Sequence, residues 1–225
     1  MYRITDNIYG QDYTEKIMPG VRFPVRTTFL ELEGGGVLVI SPGPLDGAEV
    51  RGYLGGFGQV LCMAPNAFHH RHLAAFHAQF PHVPIHGPEG VKKKAPGVAS
   101  ALLPPEALQP LVGDQVRLFP IAGIPKMEET VLYCARTQTL VVTDLLFHMR
   151  APMPLGRRLV LGMGGAYNRI AQSRLVRGLI KDRAAYLQSV RPLAGLEIQR
   201  IVVAHGDIIE GGVDIRQALV AIGAV

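Results

Sequence analysis

The chain has 225 residues, 48% of them hydrophobic, with a mean hydropathy of +0.20, enough for one sizeable core in one domain. No apolar run reaches the roughly 18 residues of a membrane span. The formal charge of +5 favours a small anionic substrate, but the basic residues are dispersed, with only Lys92-Lys93-Lys94 and Arg157-Arg158 in runs and few aromatics between them. That pattern argues for a solvated basic surface and against a nucleic-acid groove, and without a spanning run no membrane partner is expected.

Met1-Tyr-Arg-Ile-Thr-Asp lacks the charged-then-apolar pattern of a secretion signal, so a cytoplasmic protein is expected. The two cysteines, Cys62 and Cys134, lie in separate apolar runs and are expected to be free and buried.

The opening reads as a β-meander. Residues 25–32 form one strand, Gly34-Gly-Gly36 the turn, and residues 37–40 a fully apolar return. After Ser41-Pro-Gly-Pro44, residues 46–54 suggest a short helix capped by Asp46, and residues 59–63 a buried strand. From His69 the spacing becomes helical, with Leu73, Phe76 and Phe80 on one face and Pro81 as the stop. Residues 84–111, rich in proline and glycine, read as an irregular excursion. Strands follow at 115–121, 130–135 and 139–143, the last two joined by a turn at 136–138. A second irregular stretch covers 145–168. Residues 169–190 read as one long amphipathic helix, 198–204 as the last strand and 213–222 as a closing helix. Apolar strands with helices on both sides imply a layered α/β sandwich.

Polar residues close several of these strands. Ala64-Pro-Asn-Ala-Phe-His-His-Arg-His72 follows the strand at 59–63, Asp144 follows Val141-Val-Thr, and His205 follows Val202-Val-Ala. Ligand-type side chains at strand ends can converge on one sheet edge, which suits zinc or iron. Together with Val37-Leu-Val-Ile-Ser-Pro-Gly43 and Gly123-Ile-Pro-Lys-Met-Glu-Glu-Thr130, these motifs resemble the metallo-β-lactamase fold superfamily, in its order and over most of the chain. The resemblance implies a four-layer αββα sandwich and a degenerate branch with an altered metal motif.

In that superfamily the signature is His-x-His-x-Asp-His. Laid on it, Pro65 and Ala67 replace the first two histidines, His69 the aspartate, and His70 matches the last histidine. Ile124 replaces a further histidine, while Asp144 matches the bridging aspartate and His205 the final histidine. The resemblance therefore implies that one metal position is lost. The other would hold one zinc or iron ion on His69, His70, Asp144 and His205. A one-residue shift would instead put Asn66, Phe68, His70 and Arg71 in the motif. His72 is the substitute ligand if His69 points away, and His148 lies within reach of the cleft. His77, His82 and His86 read as surface or loop histidines. Of Glu128 and Glu129, one is a candidate to orient an imidazole, though solvated loop carboxylates are the simpler reading, and Asp207 has the same standing. Ser41 stands where the family often has aspartate and reads as a turn residue.

Two functions of different class follow. The first is a metal-dependent hydrolase of a small ester, thioester, lactone or phosphodiester, with Asp144 or a nearby histidine taking the proton and Arg150, Arg157 and Arg158 meeting an anionic group. The second is a metal-free, non-catalytic relative acting as a binding or scaffold protein. Redox chemistry, which normally needs both metal positions, ranks last.

Overall fold

Alternation along the buried strands sorts this chain into layers. The structure is a computed structural model and describes residues 1–19, 21–44, 48–150 and 152–225. Strands β1 (Tyr2–Thr5), β2 (Ile8–Met18), β3 (Val21–Leu32), β4 (Gly36–Ile40), β5 (Gln59–Met63), β6 (Ile85–His86) and β7 (Leu102–Leu103) form the first sheet in that order. Its pairs are antiparallel up to β4 and parallel from β4 to β7. The second sheet comprises β8 (Val116–Pro120), β9 (Thr130–Cys134) and β10 (Thr139–Val142), followed by two strands later in the chain. Between these stand β11 (Phe147–Met149) and β12 (Arg169–Ala171), a separate two-stranded ribbon. The late strands are β13 (Arg200–Val203), parallel to β10, and β14 (Ile209–Glu210) at the edge.

Side chains of a strand alternate between faces, so each strand serves two cores. Leu38 and Ile40 of β4 point between the sheets and meet Leu132, Val141 and Val202 of the second sheet. Val37 and Val39 point outward to α1 (Ala48–Leu54) and α2 (Leu73–Gln79), against Val50, Leu54, Leu73 and Phe76. Two short helices, α3 (Gly90–Lys94) and α4 (Gln109–Val112), and α5 (Leu155–Met163) lie in the connections. On the far side, Val131, Leu140, Val142, Ile201 and Val203 pack against α6 (Arg174–Leu179), α7 (Arg183–Val190) and α8 (Gly212–Ile222). The result is the expected αββα sandwich. Full burial of each such aliphatic side chain contributes about 1.5–3 kcal/mol. Cys62 and Cys134 are free and buried in it.

Some expected elements are corrected. The single helix over 169–190 is β12 followed by α6 and α7. Ser173 Oγ accepts the Val176 N–H at 3.2 Å, and Asp182 Oδ1 accepts the Ala185 N–H at 2.9 Å, so each side chain starts a new helix. The irregular stretches at 84–111 and 145–168 contain short pieces of structure, including β6, α3, α4, β11 and α5. His86, read as a surface or loop histidine, is fully buried in β6. Asp46, the expected cap, lies outside the described residues. Among those described, no helix is long and apolar enough to cross a membrane.

Candidate metal centre

Three strand ends meet at one edge of the sandwich. The turn after β5 carries His69, the residues after β10 carry Asp144, and the residue two beyond β13 is His205. His69 Nε2 stands 3.3 Å from Asp144 Oδ2, and His205 Nε2 stands 3.2 Å from Asp144 Oδ1. Among the described residues these three form the group able to hold a metal ion, with one ligand atom from each lying within 4.8 Å of the others.

Each imidazole is fixed from behind. His205 Nδ1 lies 2.8 Å from the Pro24 carbonyl oxygen, at the start of the β3 segment that crosses from the first sheet. A carbonyl only accepts, so Nδ1 carries the proton and Nε2 is free to ligate when the ring is neutral. Phe147 stacks on the same ring, with centroids 5.0 Å apart and planes 8° from parallel. His69 Nδ1 meets Ser41 Oγ at 2.5 Å. Gly206, directly after His205, has φ +113°, and a Cβ there would stand 2.1 Å from the His148 carbonyl oxygen. Only glycine permits that approach.

Beneath the three donors lies a buried polar layer. Asn66 Nδ2 donates to Asp144 Oδ2 at 2.8 Å, Thr143 Oγ1 at 2.9 Å and Glu129 Oε2 at 3.0 Å. Its Oδ1 accepts the N–H groups of Phe68 at 2.8 Å and His69 at 3.1 Å, which bends the chain so that His69 faces Asp144. Glu129, only 1% exposed, accepts the backbone N–H groups of Thr143 at 2.8 Å, Asp144 at 2.9 Å and Leu145 at 3.1 Å. It thus fixes the backbone that presents Asp144.

No protein-family model and no curated protein matches the chain in sequence. Solved structures do match it in shape. A metallo-β-lactamase from Pontibacter korlensis aligns with a TM-score of 0.61 at 13% identity, over 98% of this chain and 96% of its own. One from Erythrobacter litoralis, with β-mercaptoethanol in its active site, aligns with a TM-score of 0.65 at 14% identity, over 99% and 95%. The mono-zinc form of the metallo-β-lactamase FIM-1 from Pseudomonas aeruginosa gives a TM-score of 0.63 at 13% identity, over 99% and 92%. The chain has the metallo-β-lactamase fold.

On that fold the donor set fits an ion. Tetrahedral zinc with bonds of about 2.0–2.1 Å sets its ligand atoms roughly 3.3 Å apart. The two imidazole–carboxylate separations, 3.3 Å to Oδ2 and 3.2 Å to Oδ1, are near that size, and one donor atom from each of the three residues lies within 4.8 Å of the others. They are long for charge-assisted hydrogen bonds, which run at about 2.7–2.9 Å.

His70, the fourth expected ligand, stands apart from the other three. Its Nδ1 turns back to the Ala67 carbonyl oxygen at 3.1 Å, and it does not join the converging group. His72 lies in the turn before α2, where its Nε2 meets Glu15. His148 is sealed off, with Nδ1 3.0 Å from the Asp207 carbonyl oxygen and Nε2 accepting from Arg150 Nε at 2.8 Å. Arg150 and Arg157 border a separate cavity, and the arginine beside His69 is Arg71. Ala67 and Ile124, expected to stand at a lost metal position, are buried apolar residues. Lys94 Nζ donates to the Ala67 carbonyl at 3.0 Å and sits 4.2 Å over the Phe68 ring. Glu128 accepts the Gly90 N–H at 2.9 Å.

The electrostatics follow from burial against pairing. Burial alone would raise the Asp144 carboxyl, but His69 and His205 hold it well below the ordinary carboxylate range. For His205, burial lowers and the Asp144 carboxylate raises, with a net upward shift. Burial, then the like charge of Asp144, pushes Glu129 up to about 7, against the pull of its N–H donors. A depressed carboxyl stabilises the fold above its ordinary value of 3.8 and loses that contribution as pH falls through its folded value. A raised imidazole stabilises below its ordinary 6.5 and loses that as pH rises through its folded value. The urea midpoint of the metal-free chain, minus that of Asp144→Asn, should therefore be greatest at mildly acidic pH and shrink on both sides. A difference independent of pH would contradict the pairing.

Proposed function

We propose that this chain is a metal-dependent hydrolase with a single-metal site held by His69, Asp144 and His205. The observation that carries the reading is the convergence of two imidazole Nε2 atoms on one buried carboxylate, each ring held from behind. An ion bound there, zinc or iron by the donor chemistry, would supply Lewis acidity to a substrate oxygen and ionise a water near pH ~7.

The protein's own groups divide the remaining work. A carboxyl held as low as Asp144 is a poor proton acceptor at neutral pH, so Asp144 is assigned to holding the cation. His72 lines the same cavity of about 180 Å³, and Glu15 fixes its ring through Nε2. That pair is suited to take the proton. Arg71, at the mouth, can meet an anionic group. A space of this size admits the reacting end of an ester, thioester, lactone or phosphodiester, with the rest of the molecule lying outside. Hydrolysis across a panel of these four classes should require metal, disappear on chelation and return on adding zinc or ferrous iron. Activity that survives metal stripping would refute the mechanism.

One observation favours a metal-free relative acting in binding. Both Asp144 oxygens already face groups of the chain itself, His69 and Asn66 on one and His205 on the other. On that reading Asp144→Asn lowers stability, and added metal changes nothing.

A further inference from the structure

The segment that follows Asp144 carries most of the chain's excess charge. Residues 145–191 contain nine arginine or lysine residues against one acidic residue, Asp182, while the whole chain has a net charge of only +5. Within that segment, α5 buries Leu161 against Val21 and Phe23 of β3. Leu155, Leu159 and Met163 recur at four-residue intervals on the opposite side of the helix. They are 79%, 63% and 62% exposed. The start of α6 abuts the end of α5 through Arg174 N–H to the Gly164 carbonyl at 2.8 Å, and Leu175 there is exposed too. Arg157 Nε donates to the Arg22 carbonyl at 2.8 Å, which ties α5 to the hairpin of β2 and β3. On that hairpin Ile17 is exposed and borders the cavity of His69, Asp144 and His205. Among the described residues, no carboxylate pairs with Arg157 or Arg158.

An apolar stripe on a short helix flanked by arginines is the pattern of a helix that lies in the plane of a lipid–water interface. We propose that α5 and Ile17 of the neighbouring hairpin dock this protein on an anionic lipid bilayer. Leu155, Leu159 and Met163 would enter the headgroup boundary while Arg157 and Arg158 meet lipid phosphates. A second copy is the poorer occupant, because a two-fold interface would set two such basic segments face to face. Docking there turns the mouth of the His69 cavity towards the bilayer. The surface goes beyond the hydrolase reading and does not depend on metal.

The test is flotation of the full chain with phosphatidylcholine vesicles, with and without phosphatidylserine. Binding is expected only to the phosphatidylserine vesicles and to weaken with salt. Leu159→Glu should weaken it about tenfold or more. Arg157→Gln with Arg158→Gln should weaken it about thirtyfold. Leu159 and Arg158 lie on the surface, whereas Arg157 is half-buried and bonded to the Arg22 carbonyl. Arg158→Gln alone, expected to weaken binding about fivefold, therefore separates charge from that tie, and circular dichroism checks that the variants stay folded. Equal binding to neutral vesicles, or none to anionic ones, would overturn the proposal. So would self-association abolished by Leu159→Glu in a chain that ignores vesicles, which would make the stripe an interface between copies.

Discussion

Glu129→Gln is expected to destabilise the fold by about 1–3 kcal/mol, although it changes a single atom of the side chain and removes a charge that burial disfavours. Glu129 oxygens accept from three backbone N–H groups and from Asn66, and every one of these partners is a donor. A glutamine must turn its NH2 towards at least one of them, and each buried donor left without an acceptor costs about 1–3 kcal/mol. For a chain of this length the loss corresponds to roughly 2–12 °C in melting temperature. The backbone carrying Asp144 moves with it, so metal binding should fall in the same variant. Thermal melts beside Glu128→Gln are the measurement, since Glu128 makes one bond to the Gly90 N–H away from Asp144. Equal, small effects from both substitutions would remove Glu129 from its organising role.

Metal loading is the second large effect. A ligand that binds only the folded state at about a thousand times its Kd adds roughly 4 kcal/mol, or some 8–16 °C for a chain of this size. Zinc or ferrous iron should raise the melting temperature of the stripped protein by that order, and should leave Asp144→Ala unmoved. The stabilisation should also grow as pH rises past the ordinary imidazole range, because ligation needs a neutral His205, whose pKa Asp144 raises. A shift that persists in Asp144→Ala would place the ion elsewhere.

The layers were legible in the sequence because apolar runs bounded by turns report burial on both faces of a strand, as in residues 37–40 and 139–143. Asp144 and His205 stood out because each closes such a run. That His69 faces Asp144 while His70 turns away was not legible. They are neighbours in a turn, and Asn66 decides between them by accepting the His69 N–H. Helical periodicity from His69 misled, because α2 begins only at Leu73. Glu129 reads as a loop carboxylate by its neighbours. Its burial depends on the strand after it and on the backbone of residues 143–145, which sequence spacing does not reveal. The stripe across 169–190 has helical spacing throughout. The break comes from Ser173 and Asp182 as caps, and from Lys181 and Asp182 donating to the Gly123 carbonyl at 2.8 and 3.2 Å.

The most direct test of the three-residue centre is elemental analysis of protein purified without chelator or nickel resin and reconstituted with zinc or ferrous iron. About one ion per chain is expected in the wild type and equally in His70→Ala, with none above background in His69→Ala or His205→Ala. A wild type that stays empty after reconstitution, or a His70→Ala protein that loses its metal while His69→Ala keeps it, would contradict the site described by His69, Asp144 and His205.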